Sequence, residues 1–189
     1  MKLSLRAVLV GLVCLVAAGG LLTVLPESKD PVATPGLSHE AKACEAGSGV
    51  TVVVDFGTSI DKPALVSCAR DFGGTGWQAL AAAGIEVEGT AQFPVGFVCR
   101  LAGWPEAKRQ NCHDTPTYQE GHWAYFYSNP GKTQDSARNA AEWQISGAGA
   151  AMRKPACGSF EGWRFLLAGE STQTAKPRAR PTPTVCPAK

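Results

Sequence analysis

Apolar and polar positions along the chain fall into short blocks separated by glycine- and proline-bearing turns. Val50–Phe56 (VTVVVDF) is a dense β-branched run, and Pro63–Ala69 (PALVSCA) follows it across a Gly-Thr-Ser turn region, so the pattern predicts a β-hairpin. Thr75–Gln78 (TGWQ) has capping-box spacing, and Gly84 suits a left-handed stop. Between them a helix is predicted with Trp77, Leu80 and Ala81 on one face. Phe93–Gly103 reads as a strand entering a turn. His122–Tyr127 (HWAYFY) alternates, which sets Trp123, Tyr125 and Tyr127 on one face and Ala124 and Phe126 on the other. Glu142–Ile145 and Gly162–Leu167 are two further short strands, the second with Trp163, Phe165 and Leu167 on a common side. One helix against several hairpin strands makes the predicted class α+β.

The ends of the chain read differently. Lys2 and Arg6 precede an uncharged apolar run from Ala7 to Leu25, the layout of a secretory signal, and the first acidic residue is Glu27. Ala17, Ala18, Gly19 and Gly20 offer a cleavage site, while the length of the run also suits an uncleaved anchor. Residues 1–25 are therefore a signal peptide or signal anchor, with Cys14 as one of its apolar positions. Residues 26–49 have a spacer's composition and 50–168 form one domain of about 120 residues, enough for one core. Residues 169–189 form a tail whose Lys176, Pro177, Arg178, Arg180, Pro181 and Pro183 favour extended, solvated chain, with Cys186 able to fasten its end.

Lysines and arginines number 18 against 16 aspartates and glutamates, and Lys2 and Arg6 account for the difference. A near-neutral mature chain without a basic stripe argues against a nucleic-acid partner, and leaves membrane contact to the N-terminal segment, if that is retained. Apart from Cys14, six cysteines remain: Cys44, Cys68, Cys99, Cys112, Cys157 and Cys186. An even set in an exported chain reads as a disulfide framework. Cys99 and Cys112 are expected to pair, because closing a loop of that length is worth about 3 kcal/mol in the chain-entropy picture.

The familiar catalytic signatures (nucleophile elbow, phosphate loop, dinucleotide fingerprint, zinc-protease helix) do not occur, and the expectation is a non-enzyme without cofactor or metal. Cys112-His113-Asp114 with His122 nearby is the best polar cluster, read as surface histidines beside a disulfide rather than a metal site or an activated thiol. Asp55 in the first apolar strand must find a partner or face water. Glu86 and Glu88 read as alternation toward solvent, and Arg164 beside Trp163 as a residue of an exposed strand. The sharper feature is aromatic density. Trp123, Tyr125 and Tyr127, together with Trp143, are the candidate ligand-binding residues, rimmed by the polar loop 128–138.

Three segments in order, Gly74-Thr-Gly-Trp-Gln-Ala-Leu, Gly121-His-Trp-Ala-Tyr-Phe-Tyr and Gly158-Ser-Phe-Glu-Gly-Trp-Arg-Phe, resemble the transcobalamin C-terminal-like domain family over about Val50 to Leu167. The resemblance implies a small β-grasp-like mixed sheet cradling one main helix, stapled here by disulfides. It also implies a ligand-facing role for the strand carrying Trp123, Tyr125 and Tyr127. In cobalamin carriers this domain is a lid against a separate helical domain, which this chain lacks. The expected function is an exported, non-catalytic module for a corrinoid or another small cofactor, as an accessory of an uptake system. The alternatives are a structural domain docking on a membrane or cell-surface complex, such as a transport complex, and an extracytoplasmic hydrolase or thiol-exchange enzyme.

Overall fold

The chain is described by a computed structural model over residues 39–130 and 141–186. The expected signal segment, the first part of the expected spacer and most of the 128–138 loop lie outside these residues. Among these residues the strands are β1 (His39–Glu40), β2 (Gly49–Asp55), β3 (Leu65–Arg70), β4 (Val87–Gly89), β5 (Val98–Leu101), β6 (His122–Ser128), β7 (Gln144–Ile145) and β8 (Phe160–Leu166), with one helix, α1 (Gly76–Ala82), after β3. Six strands form a sheet in the order β1-β3-β2-β8-β6-β7, and β4 and β5 form a separate ribbon. The expected hairpin is β2–β3, in register from Gly49 opposite Arg70 to Val54 opposite Leu65. β8 returns parallel to β2 on its other side, and β6 is antiparallel to β8.

The two central strands are buried at every position, which explains why β2 reads as a continuous valine run rather than an alternating one. Alternation sends Val52, Val54, Trp123, Trp163 and Phe165 to one face, where they meet Ala79, Leu80, Ala82, Ala83 and Ile85. It sends Val53, Ala124, Phe126, Phe160 and Leu166 to the other, where they meet Trp143, Ala175 and Ala179. The sheet therefore has a helical cover on one side and the C-terminal tail on the other.

A helix as short as α1 is unstable alone, so its ends and its buried side decide whether it forms. The Gln78 N–H donates to Thr75 Oγ1 at 3.3 Å and the Thr75 N–H to Gln78 Oε1 at 2.9 Å, the expected capping box. Gly84 takes the left-handed conformation at φ 71°. Its buried residues are Gly76, Ala79, Leu80 and Ala82, with Trp77 half-buried and Ala81 exposed, so the expected Trp77–Leu80–Ala81 face is displaced by small residues. The cause is close approach: a side chain at Gly76 would strike the Tyr125 hydroxyl.

Several expected elements shrink. Of Phe93–Gly103 only Val98–Leu101 is strand, because Pro94 and the positive φ of Gly96 interrupt pairing, and of Glu142–Ile145 only Gln144–Ile145 pairs. The tail also differs from the solvated chain that its composition predicts. Pro177, Pro181 and Pro183 are buried, and Pro177 lies over Gly162. The Trp143 indole N–H donates to the Ala179 carbonyl at 2.8 Å, and the Thr184 N–H to the Gly158 carbonyl at 3.0 Å. Proline suits this role because an extended strap has no ladder in which a missing N–H would matter. Residues at the end of the spacer are likewise engaged, through β1 against β3 and the Cys44 N–H donating to Thr51 Oγ1 at 2.9 Å.

All six cysteines pair: Cys44–Cys68, the expected Cys99–Cys112, and Cys157–Cys186. The first ties the N-terminal approach to β3, the second closes the β4–β5 region and the third fastens the strap. Three such bonds point to an oxidising, extracytoplasmic setting. Among the described residues no helix is long and apolar enough to cross a membrane.

Candidate functional site

The four aromatic residues singled out in the sequence do not form one surface. Trp123 is buried against Phe56 and Phe165, edge-on to both rings. Tyr125 stacks on Trp163 with centroids 4.7 Å apart. Tyr127, half-buried on the same face, carries the Arg153 guanidinium 3.9 Å above its ring. Trp143 lies on the opposite face of the sheet, over Gly162 and beneath the strap. Packing thus takes up Trp123 and Trp143, and an ionic centre engages the two tyrosines.

That centre is Glu161, fully buried at the second position of β8. It accepts from the Tyr125 hydroxyl, from Arg153 Nε at 3.1 Å and Nη2 at 3.2 Å, and from Ser159 Oγ at 3.4 Å. Arg153 also reaches Asn129 Oδ1 at 2.8 Å. Burial pushes the Glu161 carboxyl above its ordinary value against the pull of Arg153 and Tyr125, and burial beside Glu161 holds the Tyr125 phenol far up. The Arg153 carbonyl accepts the Gly76 N–H at 2.9 Å and the Ala150 carbonyl accepts the Trp77 N–H at 2.9 Å, so this cluster seats the start of α1.

A second buried carboxylate holds the other face. Asp55 receives the Gly57 N–H at 2.9 Å, the Arg178 N–H at 2.6 Å, Arg178 Nη2 at 2.7 Å and Arg164 Nη1 at 3.3 Å. Burial raises its pKa, but these donors outweigh burial and bring the net shift below the ordinary value. Arg164 continues to Glu170 at 3.1 Å with its side chain only 6% exposed, which corrects its placement on an exposed strand. A charge inside an apolar run was the available signal at Asp55, Glu161 and Arg164 alike; its partners, Arg153 and Arg178, lie on loop and tail and could not be assigned from spacing.

The histidines stand apart from these centres. His113 is exposed and lies 3.3 Å from Asp114, while Cys112 is in its disulfide and has no thiolate. His122, half-buried on β6 beside Tyr118, is lowered by burial. Among the described residues no group of three His, Cys, Asp or Glu side chains could hold a metal ion.

A depression lies on the outer side of α1. It is an open groove of about 470 Å³ between the 71–74 turn and the helix, lined by Asp71, Phe72, Gly73, Gly74, Trp77 and Gln78 and floored by Ala81 and Ala82. Phe72 and Trp77 are half-buried, so each presents an apolar surface to the groove while packed behind against the core. Gly73 and Gly74 keep one wall low. The sequence placed Trp77 on the helix face with Leu80 and Ala81 and among the aromatics that could pack or make contact, and the structure leaves it half-buried, one side against the core and the other on the groove. Comparison of this chain with family models, with curated proteins and with solved structures finds no match.

Proposed function

We propose that this chain is an exported, non-catalytic binding module of β-grasp type that takes a small, flat, largely apolar ligand in the Phe72–Trp77 groove, as an accessory to uptake of a corrinoid or another small cofactor. The observation that carries the reading is the groove itself. Its size falls within the range of small-molecule sites, and two partly exposed aromatic surfaces with a few polar groups at the rim are what such sites use. The β-grasp reading is supported by a hairpin, a helix and a closing strand parallel to the first at the sheet's centre. Disulfides and buried ion pairs hold the turn and the helix in place, which lowers the ordering cost of binding.

The reading moves the ligand from the Trp123–Tyr125–Tyr127 face to the far side of the helix resting on it. Calorimetric titration with a panel of corrinoids and flat vitamins tests it. At least one compound should bind saturably, and Trp77→Ala should weaken it about tenfold or more, the loss of one aromatic contact. Saturable binding unchanged by Trp77→Ala and abolished by Tyr127→Ala would return the site to the strand.

A further inference from the structure

Among the described residues five large apolar side chains are well exposed, and three of them gather in one place. Phe93 is 48% exposed and Val95 62%, both in the loop between β4 and β5, and Met152 is 78% exposed in the turn leading to Arg153. The two segments lie side by side: a Cβ placed on Gly96 would sit 3.7 Å from that of Ala151. Phe97, half-buried, completes the patch with Phe93, Val95 and Gly96 around a cleft of about 260 Å³. Large apolar side chains clustered on one exposed loop and the turn beside it call for an occupant, since water solvates them poorly.

The loop is a built feature. The Thr90 side chain accepts the Phe93 N–H at 3.0 Å, the Thr90 N–H reaches the Phe93 carbonyl at 3.2 Å and the Ala91 N–H reaches the Cys112 carbonyl at 2.7 Å. The Cys99–Cys112 disulfide closes the base. From Gly89 to Cys99 there is no charged residue, and the flanking Glu88 and Arg100 neutralise each other in an ion pair. Arg153, which follows Met152, is taken up by Glu161, and the next residue, Lys154, is an exposed cation.

From these observations we infer that the Phe93–Phe97 loop and Met152 form a membrane-contact tip that inserts its apolar side chains into the interfacial layer of a lipid bilayer. An exposed apolar loop that carries phenylalanine, proline and valine, with no charge of its own and the exposed Lys154 beside it, suits a soft lipid interface. The chain's own layout agrees. The apolar run ends at Leu25, and residues 26–38 can extend no further than about 45 Å. With that run in the bilayer the domain stays within reach of the surface; without it, the tip supplies contact by itself. The inference is independent of the groove, whose lining residues it does not use.

The test is flotation of residues 36–189, which form a compact unit, with phosphatidylcholine vesicles and with vesicles containing phosphatidylglycerol. Circular dichroism and a free-thiol assay verify the fold of each sample. The wild type should float with both. Phe93→Ser/Val95→Ser/Met152→Ser should reduce the bound fraction by about tenfold or more, since three apolar insertions are lost, while Phe93→Leu/Val95→Ile/Met152→Leu should float like the wild type. A folded wild type that stays at the bottom of the gradient overturns the inference, as does equal flotation of the serine variant. A dimer in sedimentation that the serine variant abolishes, without flotation, assigns the patch to a second copy of the chain instead.

Discussion

The two faces of the central sheet are covered in contrasting ways. On one, α1 sets small and apolar residues against Trp123, Trp163 and Phe165, and the buried charge at Glu161 sits at its margin, held by a loop arginine. On the other, an irregular strap crosses Val53, Phe126 and Phe160, with the Asp55–Arg178 pair and the Cys157–Cys186 bond as its fastenings. The helical face relies on regular backbone bonding and shape. The strap has no ladder of its own, so specific polar contacts and a covalent link must hold it, and removing one of them should cost it more than a comparable change costs the helix.

The largest effect is expected at Asp55. Asp55→Ala leaves Arg164 buried with only Glu170 to answer it and frees Arg178, so urea unfolding should show a loss of about 3–5 kcal/mol. A loss under about 1 kcal/mol would mean that the strap is not held by this pair. Next comes the covalent fastening. Cys157→Ser/Cys186→Ser should cost about 3.6 kcal/mol in the chain-entropy picture, and limited proteolysis should then cut first between Ser171 and Thr184. First cleavage within 76–84 would reverse the ranking of the two covers. On the helical side Thr75→Ala removes one cap and should cost about 1 kcal/mol, with the Phe72–Trp77 groove loosened in hydrogen exchange at α1.

The smallest effects are the titrations, which differ in sign. Asp55 is lowered in the folded state, so its contribution is complete above its ordinary value of 3.8 and is lost as pH falls through the depressed one. Glu161 is raised, so its contribution is present below 4.5 and is lost as pH rises through the elevated value. Stability profiles of Asp55→Asn should therefore fall less steeply in acid than those of the wild type, and Glu161→Gln should flatten the loss on the upper side of 4.5. Profiles that change in the same direction for both variants would show that the two carboxylates do not mark opposed environments.

The same contrast explains what could be read from the sequence. The β2–β3 hairpin, the capped helix, the alternation of His122–Tyr127 and the Cys99–Cys112 pair are local patterns, and each has a short-range cause. The strap was not legible, because proline-rich composition is common to solvated and to docked extended chain, and what distinguishes them is the surface beneath. The groove was hidden for a related reason. Trp77 has the spacing of a core residue, and the close approach of the helix to Tyr125 at Gly76, which leaves Trp77 only half-buried at its side, is a tertiary fact. The aromatic strand was visible as a feature, but alternation cannot tell a ring that packs from a ring that waits for a ligand.

The measurement that bears most directly on the proposed function is native mass spectrometry of the disulfide-bonded protein and its Trp77→Ala variant, each purified from an oxidising compartment of the natural host and sprayed before and after denaturation. The account predicts a co-purified small mass on the wild type that leaves on denaturation and is absent or much depleted on the variant. Equal retention of that mass by both proteins, or a bare mass for the wild type, would contradict a ligand site in the Phe72–Trp77 groove.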